Sequence, residues 1–246
     1  MTMRDAPMGY NGSEHLLKLK EIQKTLHTLY QRISERFPGS SLSAVCHSMY
    51  QISLETDSKL EWIRKPNLIF RIFSYSLIAA IILATIYSIF AFEFTNNRLD
   101  IASLVQIFGS GLEGLAIAIA GMIFFTTIEK RGKRTRIISA INRLRCFAHI
   151  IDMHQLTKDP DALIKSNQTT ATSHSPDREL DEYQLGRYLD YCSEMLSLTS
   201  KLGFLYIQHF PDPIATNAVN DLETLITGLS NKIWQKIMLL DTKGTS

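Results

Sequence analysis

The sequence predicts an all-α fold, a transmembrane helical hairpin with a helical cytoplasmic bundle. Two long apolar runs, 72–92 and 104–128, stand between polar flanks, and apolar residues recur at helical spacing through most of the remaining chain. No segment shows the alternation that predicts a strand. Apolar residues make up 45% of the 246 residues and charged residues 20%, which excludes both a disordered chain and a fully embedded transporter.

The first 65 residues contain two predicted amphipathic helices. Residues 1–12 are predicted to be disordered, because they include Gly9 and Gly12 and show no periodicity. Residues 13–65 form the N-terminal cytoplasmic helices, which the run PGSS at 38–41 separates. Each helix has one apolar side, so we expect both to pack into a core.

Residues 66–130 are predicted to cross the bilayer twice. The run 72–92 has no charged residue and would span roughly 30 Å as a helix, which matches the hydrocarbon core of a membrane. The run 104–128 has one ionisable residue, Glu113, and the polar segment 93–103 joins the two runs. Two spans with a short connector form a hairpin.

Basic residues set the expected orientation of this hairpin. Those that follow the second run are Lys130, Arg131, Lys133, Arg134 and Arg136. The connector has only Arg98, so the positive-inside rule predicts that both termini are cytoplasmic. The basic residues are also expected to attract anionic lipid headgroups. No aromatic residues alternate with them, and nucleic acid is therefore not an expected partner.

The second run is rich in small residues. Gly114, Ala118 and Gly121 would let helix backbones approach closely, and such packing replaces the hydrophobic drive that is missing in lipid. Ala80 and Ala84 have the same spacing in the first run, which makes that run a candidate partner. We therefore expect these residues to pack the spans.

Glu113 is the candidate functional residue of the second run. Ser110 and Gln106 lie one and two turns earlier on roughly the same helix face. Two helices alone cannot hide a carboxylate from lipid, so we expect several hairpins to associate and these three residues to line a cation path. The alternative is an interfacial glutamate that is tolerated near the membrane surface.

The rest of the chain is also predicted to be helical. Residues 131–157 continue the second span into the cytoplasm, and Gly132 weakens that helix without ending it. Residues 158–180 are rich in Ser, Thr and Asn, which predicts a flexible linker. Residues 181–241 form a predicted helical hairpin with its turn at the PDP run, 211–213.

The segment 149–160, HIIDMHQLTKDP, holds the densest group of reactive side chains. His149 and Asp152 share a helix face, whereas His154 is turned from them by roughly 140° and 160°. The favoured interpretation is a helix end, in which His149 pairs with Asp152 and Lys158 interacts with the helix dipole. The alternative is a metal or small-ligand site at His149, Asp152 and His154.

Motifs for catalysis are missing from the sequence. It has no glycine-rich phosphate loop, no G-x-S-x-G run and no nucleophile–base pattern. Cys46, Cys146 and Cys192 lack the spacing of a zinc or disulfide framework, so we expect buried free thiols. We expect no enzymatic activity, no cofactor and no bound metal.

The layout of residues 13–157 resembles the bacterial SLATT family of two-span effector proteins, with amphipathic helices before the hairpin and a long helix after it. The resemblance implies a defence effector of the bacterial inner membrane that acts by forming pores. It is one of organisation, and no functional residue is transferred from it. The hairpin at 181–241 departs from that layout.

These observations predict an oligomeric two-pass membrane protein whose helical cytoplasmic domain assembles or gates a pore or channel. The rival prediction is a membrane-anchored helical interaction scaffold without conductance. The expected partners are the lipid bilayer and further copies of the chain, and a cytoplasmic protein partner is compatible with both predictions.

Overall fold

The chain is helical throughout the part that the structure describes. The computed structural model describes residues 16–65, 68–95, 101–158, 160 and 180–241. Its helices are α1 (Leu19–Arg36), α2 (Ser41–Arg64), α3 (Leu68–Thr95), α4 (Ile101–Leu156), α5 (Glu182–Ile207) and α6 (Pro213–Asp241). No strand occurs in these ranges, so the all-helical prediction is confirmed. The predicted disordered N-terminus and most of the predicted linker lie outside the described residues.

The helices form two compact units. The first, here called the helical unit, comprises Met1–Arg64 and Ile137–Ser246. The second, the apolar unit, comprises Lys65–Arg136.

The turn between α1 and α2 is encoded locally. The buried side chains of α1 are Ile22, Leu26, Leu29 and Ile33. Their spacing of three and four residues places them on one helix side. After Phe37 the chain turns at Gly39, whose φ of 72° lies in the left-handed region that glycine adopts without a steric cost. The predicted turn at 38–41 therefore forms, with Ser41 as the first residue of α2.

Helix α5, the first of the two C-terminal helices, supplies the centre of the helical unit. Its start has a capping box, in which Asp181 accepts a hydrogen bond from the Gln184 backbone and the Gln184 side chain accepts one from the Asp181 backbone. Side chains of α5 that are 0% exposed include Leu189, Cys192, Met195, Leu196 and Leu202. Each large aliphatic side chain buried in this way contributes about 1.5–3 kcal/mol of transfer free energy.

One glycine marks where α5 approaches its neighbours closely. A Cβ added to Gly203 would lie 2.8 Å from Leu222 Cδ2 of α6 and 3.6 Å from Ile141 Cδ1 of α4. Leu222 and Ile141 are both 0% exposed. The helices therefore approach closely at this crossing, and the missing side chain of Gly203 makes room for Leu222.

The predicted proline turn joins α5 to α6. Pro213 is the first residue of α6, where a missing backbone N–H costs nothing. The Asp212 carboxylate accepts hydrogen bonds from the backbone N–H groups of Ile214 (3.1 Å) and Ala215 (3.0 Å). These bonds satisfy donors that the first turn of a helix leaves unpaired.

The thiols follow the prediction in two of three cases. Cys46 and Cys192 are buried, and burial raises the pKa of each to about 12. Cys146 is exposed, so the expectation that it is buried was wrong. It lies on α4 beside Arg145, away from the side that carries Ile141, Leu144 and Ala148 into the core.

In α4 a single helix of 56 residues runs from Ile101 to Leu156, about 84 Å in length. The helix passes through Gly132 without interruption, as the sequence predicts. Its stretch Gly111–Leu156 is long and apolar enough to cross a membrane, and 6% of its most apolar 18-residue window is buried. A core helix of a soluble protein would be mostly buried, so this low burial favours membrane association.

The first predicted span is less complete in the described residues. Helix α3 contains an apolar stretch, Tyr75–Ala84, that is shorter than a full membrane span. Exposed apolar side chains continue beyond it at Ile86, Tyr87 and Phe90. One helix of the described part of the chain thus meets the length and composition of a span.

Candidate functional site

Small residues of α4 line its contact with α3 in the apolar unit. A Cβ added to Gly114 would lie 3.3 Å from Ile81 Cγ2, and one added to Gly121 would lie 2.9 Å from Leu77 Cδ2. Ala118, between them on the same helix face, is 8% exposed. The positions Gly114, Ala118 and Gly121 therefore lie where α3 approaches α4 within one chain.

The side of α3 that meets these residues differs from the expected one. The contacts come from Leu77 and Ile81, whereas Ala80 is exposed. An edge-to-face contact between Phe73 and Phe125, with ring centroids 5.2 Å apart, extends the interface. Large side chains of α3 thus pack against small residues of α4. The spacing of Ala80 suggested instead that small residues of both helices would meet.

Glu113 lies outside this interface. It is exposed, and at 100° per residue its side chain is turned well away from that of Gly114. The neighbouring side chains Leu112, Leu115 and Ile117 are 70%, 55% and 63% exposed. No hydrogen bond or ion pair joins Glu113 to another residue of the described chain. The Glu113 carboxylate, which has no partner among the described residues, therefore stands on an apolar helix surface.

The surroundings of Glu113 are only partly described. Gly109, about one turn before Glu113 on the same side of α4, has open space where a Cβ would be, so this side of the helix carries little bulk. Ser110 and Gln106, the other predicted path residues, belong to α4, but their side chains lie outside the described part of the chain.

The basic segment after the apolar stretch contains one engaged lysine. The Lys133 ammonium lies 2.9 Å from Glu129 Oε1 and donates a hydrogen bond to the backbone carbonyl of Lys65, 3.1 Å away. The Lys133 side chain is only 12% exposed. It therefore links α4 to Lys65, the residue that follows α2, and its predicted place at lipid headgroups stays a prediction.

The other predicted headgroup residues are more accessible. Lys130, Arg131 and Arg136 are exposed, and Arg134 is half-buried. Lys130, Arg131 and Arg136 thus keep the accessibility that binding to anionic headgroups requires.

The reactive side chains near the end of α4 do not converge. His154 Nδ1 donates to the Ile150 carbonyl at 2.8 Å, and Asp152 Oδ1 accepts a hydrogen bond from Gln155 Nε2 at 2.6 Å. The expected pairing of His149 with Asp152 is not formed, because the carboxylate is engaged by Gln155. Among the described residues no group of three or more His, Cys, Asp and Glu side chains could hold a metal ion.

A lysine from another helix caps this end of α4. The Lys236 ammonium donates to the carbonyls of Gln155 (2.8 Å) and Lys158 (3.1 Å). A cation at this position satisfies unpaired carbonyls and complements the negative end of the helix dipole. Sequence reasoning assigned the dipole interaction to Lys158, whose ammonium instead lies 5.7 Å from the centroid of the Tyr188 ring.

A second unpredicted cluster gathers the ends of α1, α2 and α5. The Gln208 amide brackets the backbone of Leu17, accepting from its N–H at 3.1 Å and donating to its carbonyl at 3.3 Å. Arg64, the last residue of α2, donates to His209 Nε2 at 2.7 Å. Burial and then the Arg64 charge lower the pKa of His209. We call Leu17, Arg64, Gln208 and His209 the junction.

The features that can carry function are thus the exposed Glu113 side of α4, the basic segment and the junction. The resemblance in layout to the SLATT family stays a prediction. No family model, curated protein or solved structure matches this chain.

Proposed function

We propose that this chain is an oligomeric two-pass membrane protein whose helical unit assembles or gates a pore or channel. Helices α3 and α4 would cross the membrane, with both termini in the cytoplasm of a bacterium and the hairpin in its inner membrane. The resemblance to SLATT proteins suggests a defence effector. The observation that supports the proposal is Glu113, which is exposed, has no partner among the described residues, and lies on a side of α4 away from the contact with α3.

The argument for self-association is energetic. A carboxylate that faces hydrocarbon near the middle of a helix costs about 2.5–3.5 kcal/mol on insertion scales, and less towards the interface. Helix α3 cannot relieve this cost, because it packs on the side of Gly114 and Gly121. Further copies of the chain can, if they turn their Glu113 residues towards a shared watery axis. The open position Gly109, about one turn before Glu113 on the same side, lets a neighbouring helix come close there.

A ring of carboxylates also has a chemical consequence. Fixed negative charge around a pore raises the local concentration of cations and lowers that of anions. Gln106 and Ser110 precede Glu113 on the same helix face, and their polar groups would extend the path. We therefore propose a cation path, with neither a cofactor nor enzymatic chemistry involved.

The alternative function is a membrane-anchored interaction scaffold without conductance. Exposed apolar side chains on the helical unit favour it, since Met153, Trp234 and Met238 are 66%, 58% and 60% exposed. Surfaces of this kind often bind protein partners.

Two measurements on the purified full-length protein test the proposal. Mass measurement in lipid nanodiscs gives the copy number, and planar bilayers under a KCl gradient give conductance and selectivity. Glu113→Gln should shift the reversal potential towards zero, whereas Leu112→Gln, one position away on the exposed surface, should leave it unchanged. An oligomer without current would favour the scaffold. A monomer, or a current whose selectivity ignores Glu113, would refute the proposed path.

A further inference from the structure

A surface groove lies between α1 and α5 within the helical unit. Its volume is about 560 Å³, inside the range of roughly 300–1,000 Å³ that is typical of small-molecule sites. Bonds between the same two stretches of chain flank it at both ends. Gln208 brackets the backbone of Leu17 at one end, and the Arg32 guanidinium lies 3.0 Å from Glu194 Oε2 at the other. The walls of the groove are therefore fixed by contacts inside one compact unit.

The floor of the groove is apolar. Ile22 of α1 and Leu198 of α5 are buried, and Leu17, which lines the same groove, is half-buried. Hydroxyl groups also line the groove, those of Thr25, Ser193 and Ser197. Sites for small molecules commonly combine an apolar surface with a few polar groups that fix the orientation of the ligand. The groove is thus suited to a ligand with an apolar body and polar substituents.

The charged side chains of the groove are only partly paired. Those that line it are Lys18, Glu21, Glu194 and Lys201. Glu194 is paired with Arg32, so it adds no free charge. Within the described ranges Lys18 and Glu21 form no ion pair, and the Lys201 ammonium bonds only the Ser197 hydroxyl, 2.6 Å away. Two ammonium groups and one carboxylate therefore remain for a ligand.

The order of these charges favours a ligand that carries both signs. Lys18 and Glu21 are three residues apart, so they share one side of α1, and Lys201 belongs to the opposite wall. A simple anion bound to the lysines would lie beside the Glu21 carboxylate, and a simple cation bound to Glu21 would lie beside the lysines. A molecule with a carboxylate and an ammonium satisfies all three side chains, because each of its charges meets the opposite sign.

We propose that this groove binds a small zwitterion with an apolar body, of the class of a short peptide with free termini. Its carboxylate accepts hydrogen bonds from Lys18 and Lys201, and its ammonium donates to Glu21. Its apolar side chains cover Ile22 and Leu198. The groove belongs to the helical unit alone, so this inference does not depend on the proposed pore.

Three related probes test the proposal in the full-length protein. Saturation-transfer NMR titrations in nanodiscs compare leucyl-leucine with its N-acetyl derivative, which lacks the ammonium, and with its amide, which lacks the carboxylate. Leucyl-leucine should bind about tenfold more tightly than either derivative, the effect of one charge-assisted hydrogen bond. Nanodiscs without protein give the background. Equal affinity for the three probes, or no binding of leucyl-leucine, would overturn the proposal.

Variants then place the binding in the groove. Glu21→Gln should weaken leucyl-leucine about tenfold without weakening its N-acetyl derivative, because that probe has no ammonium to lose its partner. Glu35→Gln is the matched control, since Glu35 is an exposed residue of α1 that does not line the groove. Equal effects of the two variants would overturn the role of Glu21.

The lysine side of the site has a reciprocal test. Lys201→Gln should weaken leucyl-leucine and leave the affinity for its amide unchanged, because the amide has no carboxylate. Ser197→Trp should abolish the binding of all three probes, since the indole fills the groove from an exposed position that the fold does not need. Circular dichroism melts confirm that each variant is folded. Unchanged binding in Ser197→Trp would show that the probes bind elsewhere and would overturn the proposal.

Discussion

Gly203→Ala should destabilise the helical unit, whereas Gly186→Ala should stabilise it. Both glycines lie inside α5, so alanine gains about 0.5–1 kcal/mol of helix propensity at each position. Nothing lies within 4 Å of a Cβ at Gly186, and the gain there is kept. At Gly203 the new Cβ would meet Leu222 Cδ2 at 2.8 Å, and Leu222 is fully buried.

Overpacking of this kind costs about 1–3 kcal/mol, which outweighs the propensity gain and leaves Gly203→Ala less stable by about 0–2.5 kcal/mol. The difference between the two variants, about 1–3 kcal/mol, isolates the packing cost because the propensity gain cancels. Urea unfolding of the detergent-solubilised protein, followed by circular dichroism, measures it. Equal shifts in the same direction would refute the idea that Leu222 leaves no room for a side chain at Gly203.

Three further predictions concern the helical unit. Lys236→Met should lower the free energy of unfolding by about 2 kcal/mol, because charge-assisted hydrogen bonds at the end of α4 are lost. Urea titrations measure this change, and an unchanged urea midpoint would contradict it. The lowered pKa of His209 means that the folded protein disfavours the protonated ring, so stability should be complete above the ordinary pKa of 6.5 and decline as the pH falls through it. His209→Gln should flatten that decline in thermal melts between pH 5 and pH 8, roughly the range in which histidine titrates, and an identical profile would refute its assignment to His209. Maleimide at neutral pH should label Cys146 rapidly and Cys192 only on unfolding, since Cys192 is buried and its pKa is raised to about 12. Mass spectrometry measures the two labelling rates, and equal rates would contradict the burial of Cys192.

Local chemistry made much of the fold predictable. The turn at 38–41 needs a residue with positive φ, and Gly39 supplies it. The turn at 211–213 ends one helix and begins the next, because proline is tolerated at a first helical position. The long helix through Gly132 follows from uninterrupted periodicity, since one glycine costs only about 1 kcal/mol.

Partners distant in sequence were not predictable from the pattern. Lys236 bonds a carbonyl 81 residues away, and Gln208 holds a backbone 191 residues away. The local sequence does not distinguish Lys236 or Gln208 from other polar residues, since lysine and glutamine side chains are most often solvated. The exposure of Cys146 was not predicted for the same reason, because burial depends on which neighbouring helix covers a side chain.

The candidate site, too, could be predicted from the sequence only in part. The spacing of Gly114, Ala118 and Gly121 marked them as a close-packing side of α4, but the sequence could not tell which side of α3 would meet it. Glu113 stands out in the sequence as the single charge of an apolar run. Its lack of a partner within the described chain is a property of the folded arrangement, which periodicity alone does not reveal.

The bond between Arg64 and His209 has a consequence for biosynthesis. The two residues are 145 positions apart, and a ribosome needs roughly 7–30 s to add that many residues. During this interval α1 and α2 have been made, but α5, which fills their shared core, has not. The apolar faces of α1 and α2 are therefore exposed on the nascent protein while the later segments are still being translated. A product that stops before α5 would remain in that state and become a substrate for chaperones and proteases.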